Sequence, residues 1–278
     1  MANALVAKLD QGDVWVKIVT AIKDLVGEVN FDCNLDAIQM QAMDTSHVAL
    51  ISLFLAKAEF QHWHLAGNRS QVFGVNLGSM GKVLACAGSG SSVTLSLLDR
   101  GDQLSFEFCD PITAETIKLG LKLIDIDADP LEIPPTNYTA IINMPSAVFE
   151  KKCSDMHKLG ADTVSITPYR DHIKFTIACD MLSTGSFTIP TTPALDANDP
   201  ACVRITLSDP AALEGPTQCF DLRYLNNFIK AKALSKSLVL NMSDELPLRL
   251  DFPFGEHGSY LRYFLAPKIA ANEAGMQE

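Results

Sequence analysis

The sequence lacks the cysteine pattern and the long apolar runs that several protein classes require. Its seven cysteines are scattered and form no C-x-x-C pair, which argues against a disulfide framework and against a thiolate zinc site. The first residues contain no basic segment followed by an apolar run, and no apolar stretch reaches the ~18 residues of a membrane helix. We therefore expect a soluble protein of the cytosol or nucleus, with no membrane partner.

An excess of positive charge is also lacking. The chain of 278 residues has 22 Lys and Arg against 33 Asp and Glu, which gives a formal net charge of −11. Such an acidic chain does not bind nucleic acid through its bulk charge, because phosphate binding needs local positive potential. Any contact with DNA therefore requires basic residues that are concentrated on one face.

A catalytic constellation is lacking as well. The stretch MDTSHV places Asp44, Ser46 and His47 within four residues. A Ser/His/Asp hydrolase needs strict triad geometry and an oxyanion hole, whereas these near neighbours are expected at a strand start, with Ser46 and His47 on opposite faces. A turn with a surface histidine is the preferred interpretation, and it favours a binding or scaffolding protein over an enzyme.

Phosphate-binding and metal-binding motifs are equally weak. The glycine-rich run GVNLGSMGK departs from a P-loop, because Asn76 stands where the first glycine belongs and Val83 follows the lysine. His62 and His64 share one face of a predicted strand, but no acidic or thiol ligand lies nearby in the sequence. The sequence therefore predicts no cofactor and no metal ion.

Four segments place apolar residues three and four positions apart, as amphipathic helices do. They are Asp13–Val26, Asn76–Cys86, Ser146–Gly160 and Thr217–Ala233. The third begins at a serine, which is a favoured N-cap residue, and ends at a glycine. Short alternating or apolar runs between the helices predict strands, for example IQMQAMD, HVALISLFL, SSVTLSLLD, LSFEFCD, DTVSITPY, IKFTIAC, CVRITLS, SLVLNMS and LPLRLDF.

The order of these elements predicts a unit that is built twice. Two helices and many strands precede the strip LKLIDIDADPLEIPP, and two helices and many strands follow it. Prolines and alternating aspartates disfavour a helix in this strip, so we expect an extended connector. The predicted class is α+β, with helices packed on antiparallel sheets in an N-terminal domain (1–120) and a C-terminal domain (137–278), joined by the connector (121–136).

Positive charge is concentrated in the predicted helices. The four segments together carry +4, so the rest of the chain carries −15. Lys151 and Lys158 lie seven residues apart, as do Arg223 and Lys230, and each pair therefore shares one helix face. Two interpretations stay open: the lysines cover ordinary solvated faces, or the helices line an anionic partner that they hold through phosphate contacts.

Five stretches carry a family resemblance: MQAMDTSHVAL, GVNLGSMGKVLACAG, LKLIDIDADPLEIPP, LRYLNNFIKA and YFLAPKI. In them the chain resembles the proliferating cell nuclear antigen family, the eukaryotic DNA sliding clamps. The resemblance implies a nuclear homotrimeric ring, with sheets outside and helices around a hole that encircles duplex DNA without sequence specificity. It implies a processivity factor for DNA polymerase and a docking platform for replication and repair proteins, without enzymatic activity and opened by an ATP-driven clamp loader.

Site residues follow from the same resemblance. A pocket beside the connector would bind clients that carry a PCNA-interacting peptide motif, through Met43, His47, Leu131, Ile133, Pro247, Phe264, Ala266 and Pro267. The channel would contact DNA through Lys17, Lys23, Lys82, Lys151, Lys152, Arg223 and Lys230. Alternatively, Leu131 and Ile133 only pack the connector onto its own sheets. Subunits would meet through edge strands near Thr113–Leu121 and Ser183–Ile189.

The sequence departs from the family at several positions. Val16, Ala85 and Ser154 stand where relatives often carry Lys or Arg, so a weaker DNA contact is expected. Arg170 stands where a regulatory ubiquitin-acceptor lysine is usual, and either the modification is absent or Lys174 takes it.

Two other classes of function compete with the homotrimeric clamp. One is a checkpoint-type clamp subunit that assembles with two different partners, and the well-kept client pocket argues against it. The other is a two-domain enzyme with a cleft between its halves, and the missing catalytic motifs argue against that.

Overall fold

The computed structural model of the chain describes residues 3–99, 101–127, 131, 133, 136–180, 182–192 and 202–268. The chain divides into two compact units. The first consists of Met1–Pro134 with the short segments Ala233–Ser235 and Phe252–Tyr263. The second consists of Pro135–Lys232, Lys236–Asp251 and Phe264–Glu278.

The first half of the chain contains nine strands and two α-helices among its described residues. The strands are β1 (Asn3–Leu9), β2 (Glu28–Cys33), β3 (Ala37–Met43), β4 (Ala49–Ala56), β5 (His62–Leu65), β6 (Gln71–Asn76), β7 (Ser92–Leu98), β8 (Gln103–Cys109) and β9 (Thr116–Lys122). The helices are α1 (Asp13–Ile22) and α2 (Leu77–Leu84), with short 3-10 helices at Lys57–Glu59 and Ala66–Asn68.

The second half repeats this inventory over the residues that are described. Its strands are β10 (Ala140–Pro145), β11 (Thr163–Pro168), β12 (His172–Cys179), β13 (Leu182–Pro190), β14 (Arg204–Leu207), β15 (Gln218–Asp221), β16 (Ser237–Met242), β17 (Leu248–Phe254) and β18 (Ser259–Leu265). Its helices are α3 (Ser146–Lys158) and α4 (Leu222–Phe228), and a 3-10 turn at Ile229–Ala233 continues α4.

Each half places its helices in the same strand–helix–strand order. In the first half α1 lies between β1 and β2, and α2 lies between β6 and β7. In the second half α3 lies between β10 and β11, and α4 lies between β15 and β16. The prediction of an α+β unit that is built twice is therefore confirmed.

The sheets are antiparallel throughout the registered strand pairs. The first unit contains a five-stranded sheet in the order β5-β1-β7-β8-β9 and the run β4-β3-β2-β6. The second unit contains the run β14-β10-β16 with the Leu248–Asp251 part of β17, and a four-stranded sheet in the order β13-β12-β11-β15. β9 and β13 thus each lie at the end of a sheet, where one side of the strand has no neighbour among the described strands.

Aromatic side chains build the core of the first unit beneath its helices. Trp15 of α1 meets Phe31 edge-on at 5.8 Å between ring centroids, and Phe31 lies 5.6 Å from Phe73. The buried Tyr263 hydroxyl donates a hydrogen bond to the carbonyl oxygen of Ala21 at 3.2 Å, and burial raises the pKa of this phenol. The apolar face of α1 is therefore fixed against the sheets, and its polar face stays outward.

The helices of each unit pack against one another as a pair. α1 contacts α2, and α3 contacts α4. Gly81 of α2 faces Val19 of α1, since a Cβ at Gly81 would lie 3.6 Å from a Val19 methyl carbon, an ordinary contact distance. In the second unit Phe149 of α3 packs at 6.2 Å from Phe175 of the sheet, so that α3 also buries one face.

Three predicted helix boundaries need correction. α1 ends at Ile22 rather than Val26, because a turn follows the bond from the Lys23 amide to Val19, and the amides of Leu25 and Val26 both donate to the Ile22 carbonyl oxygen. In α2, Asn76 is the N-cap, and its side chain accepts a hydrogen bond from the Ser79 amide. In α3, Pro145 is the N-cap, and Ser146 is already helical and buried.

The predicted helix Thr217–Ala233 was wrong over its first turn. Residues Gln218–Asp221 form β15, which pairs with β11, and the helix begins only after Asp221. The Asp221 carboxylate caps it by accepting a hydrogen bond from the Arg223 amide at 2.9 Å. Sheet pairing therefore overrides a helical apolar spacing here.

Candidate functional site

The predicted channel cations of the first unit lie on the outer faces and ends of α1 and α2. Lys17 is half-buried and forms an ion pair with Asp13, one turn earlier, at 2.7 Å. Lys82 is exposed in the last turn of α2. Lys23 is exposed as well, but it lies at the C-cap of α1 rather than inside the helix. None of the three belongs to the buried residues of α1 or α2.

The second unit presents its cations in the same way. Lys151 is exposed on α3, whereas Lys152 is half-buried with its ammonium 5.6 Å from the centre of the Phe187 ring. Arg223 is 72% exposed at the start of α4. Lys230 lies in the 3-10 turn after α4 and donates a hydrogen bond to the Asn227 side chain at 2.9 Å.

Nearby carboxylates partly neutralise the positive charge of these helices. Arg223 lies 3.8 Å from the Asp221 carboxylate, and Lys232 of the 3-10 turn is ion-paired with Glu150 of α3. Such exposed pairs contribute little to stability, but they lower the local potential. The helical surface is therefore moderately basic, and this suits non-specific phosphate contacts better than tight binding.

The turn between β3 and β4 presents two of the predicted pocket residues together. The buried Asp44 carboxylate accepts hydrogen bonds from the backbone amides of Ser46, Val48 and Ala49, at 2.7 to 3.1 Å. These bonds hold His47 in the left-handed region, at φ 57°. The His47 ring then lies 3.1 Å from the Met43 sulfur, and both side chains are exposed.

The same turn corrects the interpretation of MDTSHV as a strand start. Asp44, Ser46 and His47 lie in a turn, where the Asp44 carboxylate is occupied by backbone amides. The carboxylate is therefore not positioned as the third member of a catalytic triad. Similarly, the run GVNLGSMGK forms the end of β6 and most of α2.

The first part of the connector crosses the edge strand β6. The Ile124 amide donates a hydrogen bond to the carbonyl oxygen of Gly74 at 3.0 Å, and the Asn30 side chain donates one to the carbonyl oxygen of Ile126 at 2.9 Å. Ile124 and Ile126 are half-buried, whereas Asp125 is exposed. The alternation of apolar residues and aspartates therefore separates a packed side of the strip from a solvated side.

Further along the connector the two predicted pocket residues are partly accessible. Leu131 is 41% exposed, and Ile133 is half-buried. The intervening Glu132 and the stretch 128–130 fall outside the described residues, as do residues 134 and 135. An exposed leucine next to a half-buried isoleucine offers apolar surface to a ligand.

The remaining pocket candidates lie near the C-terminus. Pro247 is exposed just before β17, Ala266 is exposed after β18, and Pro267 is half-buried. Phe264 is 8% exposed, so most of its ring already packs inside the protein. The segment is fixed at its end, because the Lys268 amide donates to the Cys219 carbonyl oxygen at 2.7 Å. Ile269 of the motif YFLAPKI lies outside the described residues.

Arg170 has a structural task that the sequence did not reveal. Its guanidinium donates hydrogen bonds to the carbonyl oxygens of Pro210 and Ala212, and its backbone amide donates one to Leu213. The arginine thus holds the loop after β14 in place through three hydrogen bonds. Lys174, the alternative acceptor, is half-buried on β12.

The described part of the chain offers no metal cluster and no membrane-spanning helix. No group of three or more His, Cys, Asp or Glu side chains there could hold a metal ion. His62 and His64 are both exposed on β5. None of the described helices is long and apolar enough to span a membrane.

Comparison with known proteins decides the family. A model of the proliferating cell nuclear antigen N-terminal domain matches residues 4–131, and a model of the C-terminal domain matches residues 132–268. The chain belongs to the proliferating cell nuclear antigen family. It is 39% identical over 269 residues to the proliferating cell nuclear antigen of Chaetomium thermophilum, covering 97% of this chain and 100% of the relative.

Membership fixes the general function. Proliferating cell nuclear antigens are DNA sliding clamps that act as processivity factors in replication, and the two domain matches give this chain the same role. Clamps of this family work as non-enzymatic scaffolds whose partners are DNA, further subunits, polymerases and other clients. The family match favours this role over that of a checkpoint-type subunit or a two-domain enzyme.

Proposed function

We propose that three copies of the chain close into a ring that encircles duplex DNA and slides along it without reading its sequence. The observation that carries the proposal is the match of both halves to the family, at 39% identity over 97% of the chain. The strand–helix–strand order that recurs in each half supports it, because repeated units suit a symmetric ring.

The DNA-contacting surface consists of the helix-borne cations. These are Lys17, Lys23, Lys82, Lys151, Lys152, Arg223 and Lys230. The rest of the chain is strongly acidic, so the duplex is attracted to the helices and repelled elsewhere. Neutral residues at Val16, Ala85 and Ser154 leave fewer phosphate contacts, and a clamp that must slide gains from weak contacts.

The subunits join through β9 of one copy and β13 of the next. Both strands lie at sheet ends, and each has one free side among the described strands. Pairing them would continue a sheet from one subunit into the next and would remove two exposed edges. The predicted interface segment Thr113–Leu121 is adjusted accordingly, because the strand itself begins at Thr116.

Clients bind at the connector, over residues 121–136, which joins the domains 1–120 and 137–278. The pocket consists of Met43, His47, Leu131, Ile133, Pro247, Phe264, Ala266 and Pro267. Apolar and aromatic anchors of a PCNA-interacting peptide motif enter it, and backbone pairing along the extended strip adds affinity. An ATP-driven clamp loader opens the ring, the site of action is the nucleus, and the chain itself catalyses no reaction.

The channel assignment is tested by removing charge from two helices. In the variant with Lys82→Ala and Arg223→Ala, we expect weaker binding to a short duplex and a shallower dependence of affinity on salt, because fewer counterions are released. A matched control removes the exposed Lys57 and Lys236, which lie outside the four α-helices. Equal losses in the two variants would contradict the assignment.

A further inference from the structure

We propose that Asn30 and Gly74 are positioning residues for client binding, because together they fix the first half of the connector on the edge strand β6. The inference rests on the proposed function in one respect, namely that clients bind at the second half of the connector. The anchoring itself depends only on contacts inside the first unit.

Asn30, Gly74 and Ile124 form a row across three neighbouring chain segments. Asn30 of β2 and Gly74 of β6 are cross-strand partners. On the other side of β6, Gly74 forms a single antiparallel bridge with Ile124 of the connector. The connector therefore continues the sheet for one bridge and then leaves it.

Three hydrogen bonds hold this crossing. The Leu123 amide donates to the Asp102 carbonyl oxygen at 2.9 Å, and the Ile124 amide donates to the Gly74 carbonyl oxygen at 3.0 Å. The Asn30 amide group reaches past β6 and donates to the Ile126 carbonyl oxygen at 2.9 Å. Of the three donors, the Asn30 group is the one that can be removed by a side-chain substitution.

Gly74 makes room for the crossing. A Cβ at this position would lie 2.3 Å from the Ile124 carbonyl oxygen and 3.1 Å from the Ile126 Cδ1 atom. Its φ lies outside the left-handed region, so the glycine is required for close approach and not for an unusual backbone angle. An alanine at this position would meet the Asn30 Oδ1 atom at 2.9 Å as well, so it would disturb the Asn30 side chain and displace the connector.

The anchor determines where the client-binding half begins. Leu131 follows Ile126 by five residues, so an extended chain can carry it at most about 18 Å from the anchor. A fixed starting point restricts the conformations that Leu131 and Ile133 explore before a client arrives. A pre-ordered strip loses less entropy on binding, so loosening the anchor lowers affinity.

The test uses the full chain and a fluorescein-labelled synthetic peptide with one aliphatic and two aromatic anchors. In Asn30→Asp, which keeps the side-chain shape but removes the N–H donor, amide exchange at Ile124 should accelerate, and peptide affinity should fall about three- to tenfold. Gly74→Ala should do the same by displacing the connector. Gln39→Ala, a half-buried amide on β3 with β2 between it and β6, should change neither.

Each outcome decides one part of the proposal. Unchanged exchange at Ile124 in both variants would overturn the anchor. Faster exchange with wild-type peptide affinity would overturn the positioning role and leave a purely structural contact. If the wild-type chain did not bind the peptide, the proposed client site would be contradicted, and the positioning role with it. The amide exchange rates would still test the anchor independently of peptide binding. Melting temperature and solution mass, compared with Gln39→Ala, exclude misfolding as the cause.

Discussion

Single residues prepare the binding surfaces of this clamp before any partner arrives. The Asp44 carboxylate accepts hydrogen bonds from three backbone amides, and the resulting turn holds His47 beside Met43. A similar turn follows β8, where the amides of Thr113 and Ile112 donate to Asp110 and lower the pKa of its carboxyl group. Short polar side chains that bind nearby amides thus fix loops at places where partners are proposed to dock.

The client pocket can be tested at this scale through the two apolar connector residues. In the double variant Leu131→Ala and Ile133→Ala, peptide affinity should fall at least about tenfold, because two aliphatic anchoring contacts are lost. The measurement is fluorescence anisotropy with the labelled client peptide, and the solution mass should stay unchanged.

A matched control is available for this double variant. Leu213 and Ile141 are also an exposed leucine and a partly exposed isoleucine, at 75% and 37% exposure, and they lie outside the proposed pocket. Replacing both by alanine should leave peptide affinity at the wild-type value. If the connector variant also retained full affinity, Leu131 and Ile133 would merely pack the connector, and the pocket assignment would be wrong.

At the scale of elements, the apolar spacing in the sequence correctly predicts a helix face wherever local spacing alone decides which residues are buried. The apolar spacing of Trp15, Ile18 and Ile22 is that of the observed buried face of α1. The same kind of spacing misled over Gln218–Asp221, because pairing with β11 decides that segment and no local pattern reveals it. Tertiary pairing therefore sets the limit of prediction from local periodicity.

The candidate site shows the same limit. The family resemblance supplied Met43 and His47, and the turn geometry around Asp44 shows why they lie together. Neither the resemblance nor the periodicity indicated that Asn30 and Gly74 hold the connector, because the contacts join residues far apart in the sequence, 96 positions in the case of Asn30 and Ile126. The one available signal was a glycine inside a strand, which often marks a close approach of another backbone.

The proposed pairing of the edge strands β9 and β13 between subunits can be tested by a substitution on β9. Leu119 is half-buried on β9, the end strand of its sheet, through which a neighbouring subunit is proposed to pair. Leu119→Asp should convert the assembly to monomers, because a carboxylate would be buried in the interface without a partner. Thr116→Asp, at an exposed position of the same strand, is the control. A Leu119→Asp protein with the wild-type mass would exclude β9 from the interface.

The whole molecule combines a net charge of −11 with cations gathered on its helices. In the proposed ring, this segregation would let an acidic protein hold DNA: the duplex would meet the helices, and topology rather than affinity would keep it bound. In that ring, the neutral residues Val16, Ala85 and Ser154 and ion pairs such as Lys17–Asp13 would keep the contact weak. A weak contact is compatible with function only if the ring is closed, so retention of DNA would depend on assembly.

The most direct test of that dependence is the mass of the protein in solution, measured by light scattering behind a sizing column. The chain has a mass of 30.2 kDa, so a closed ring of three copies should give about 91 kDa, three times the chain mass. This result would make the helix cations the next residues to vary. A stable species of 30.2 kDa across micromolar concentrations would contradict a self-sufficient ring that encircles DNA.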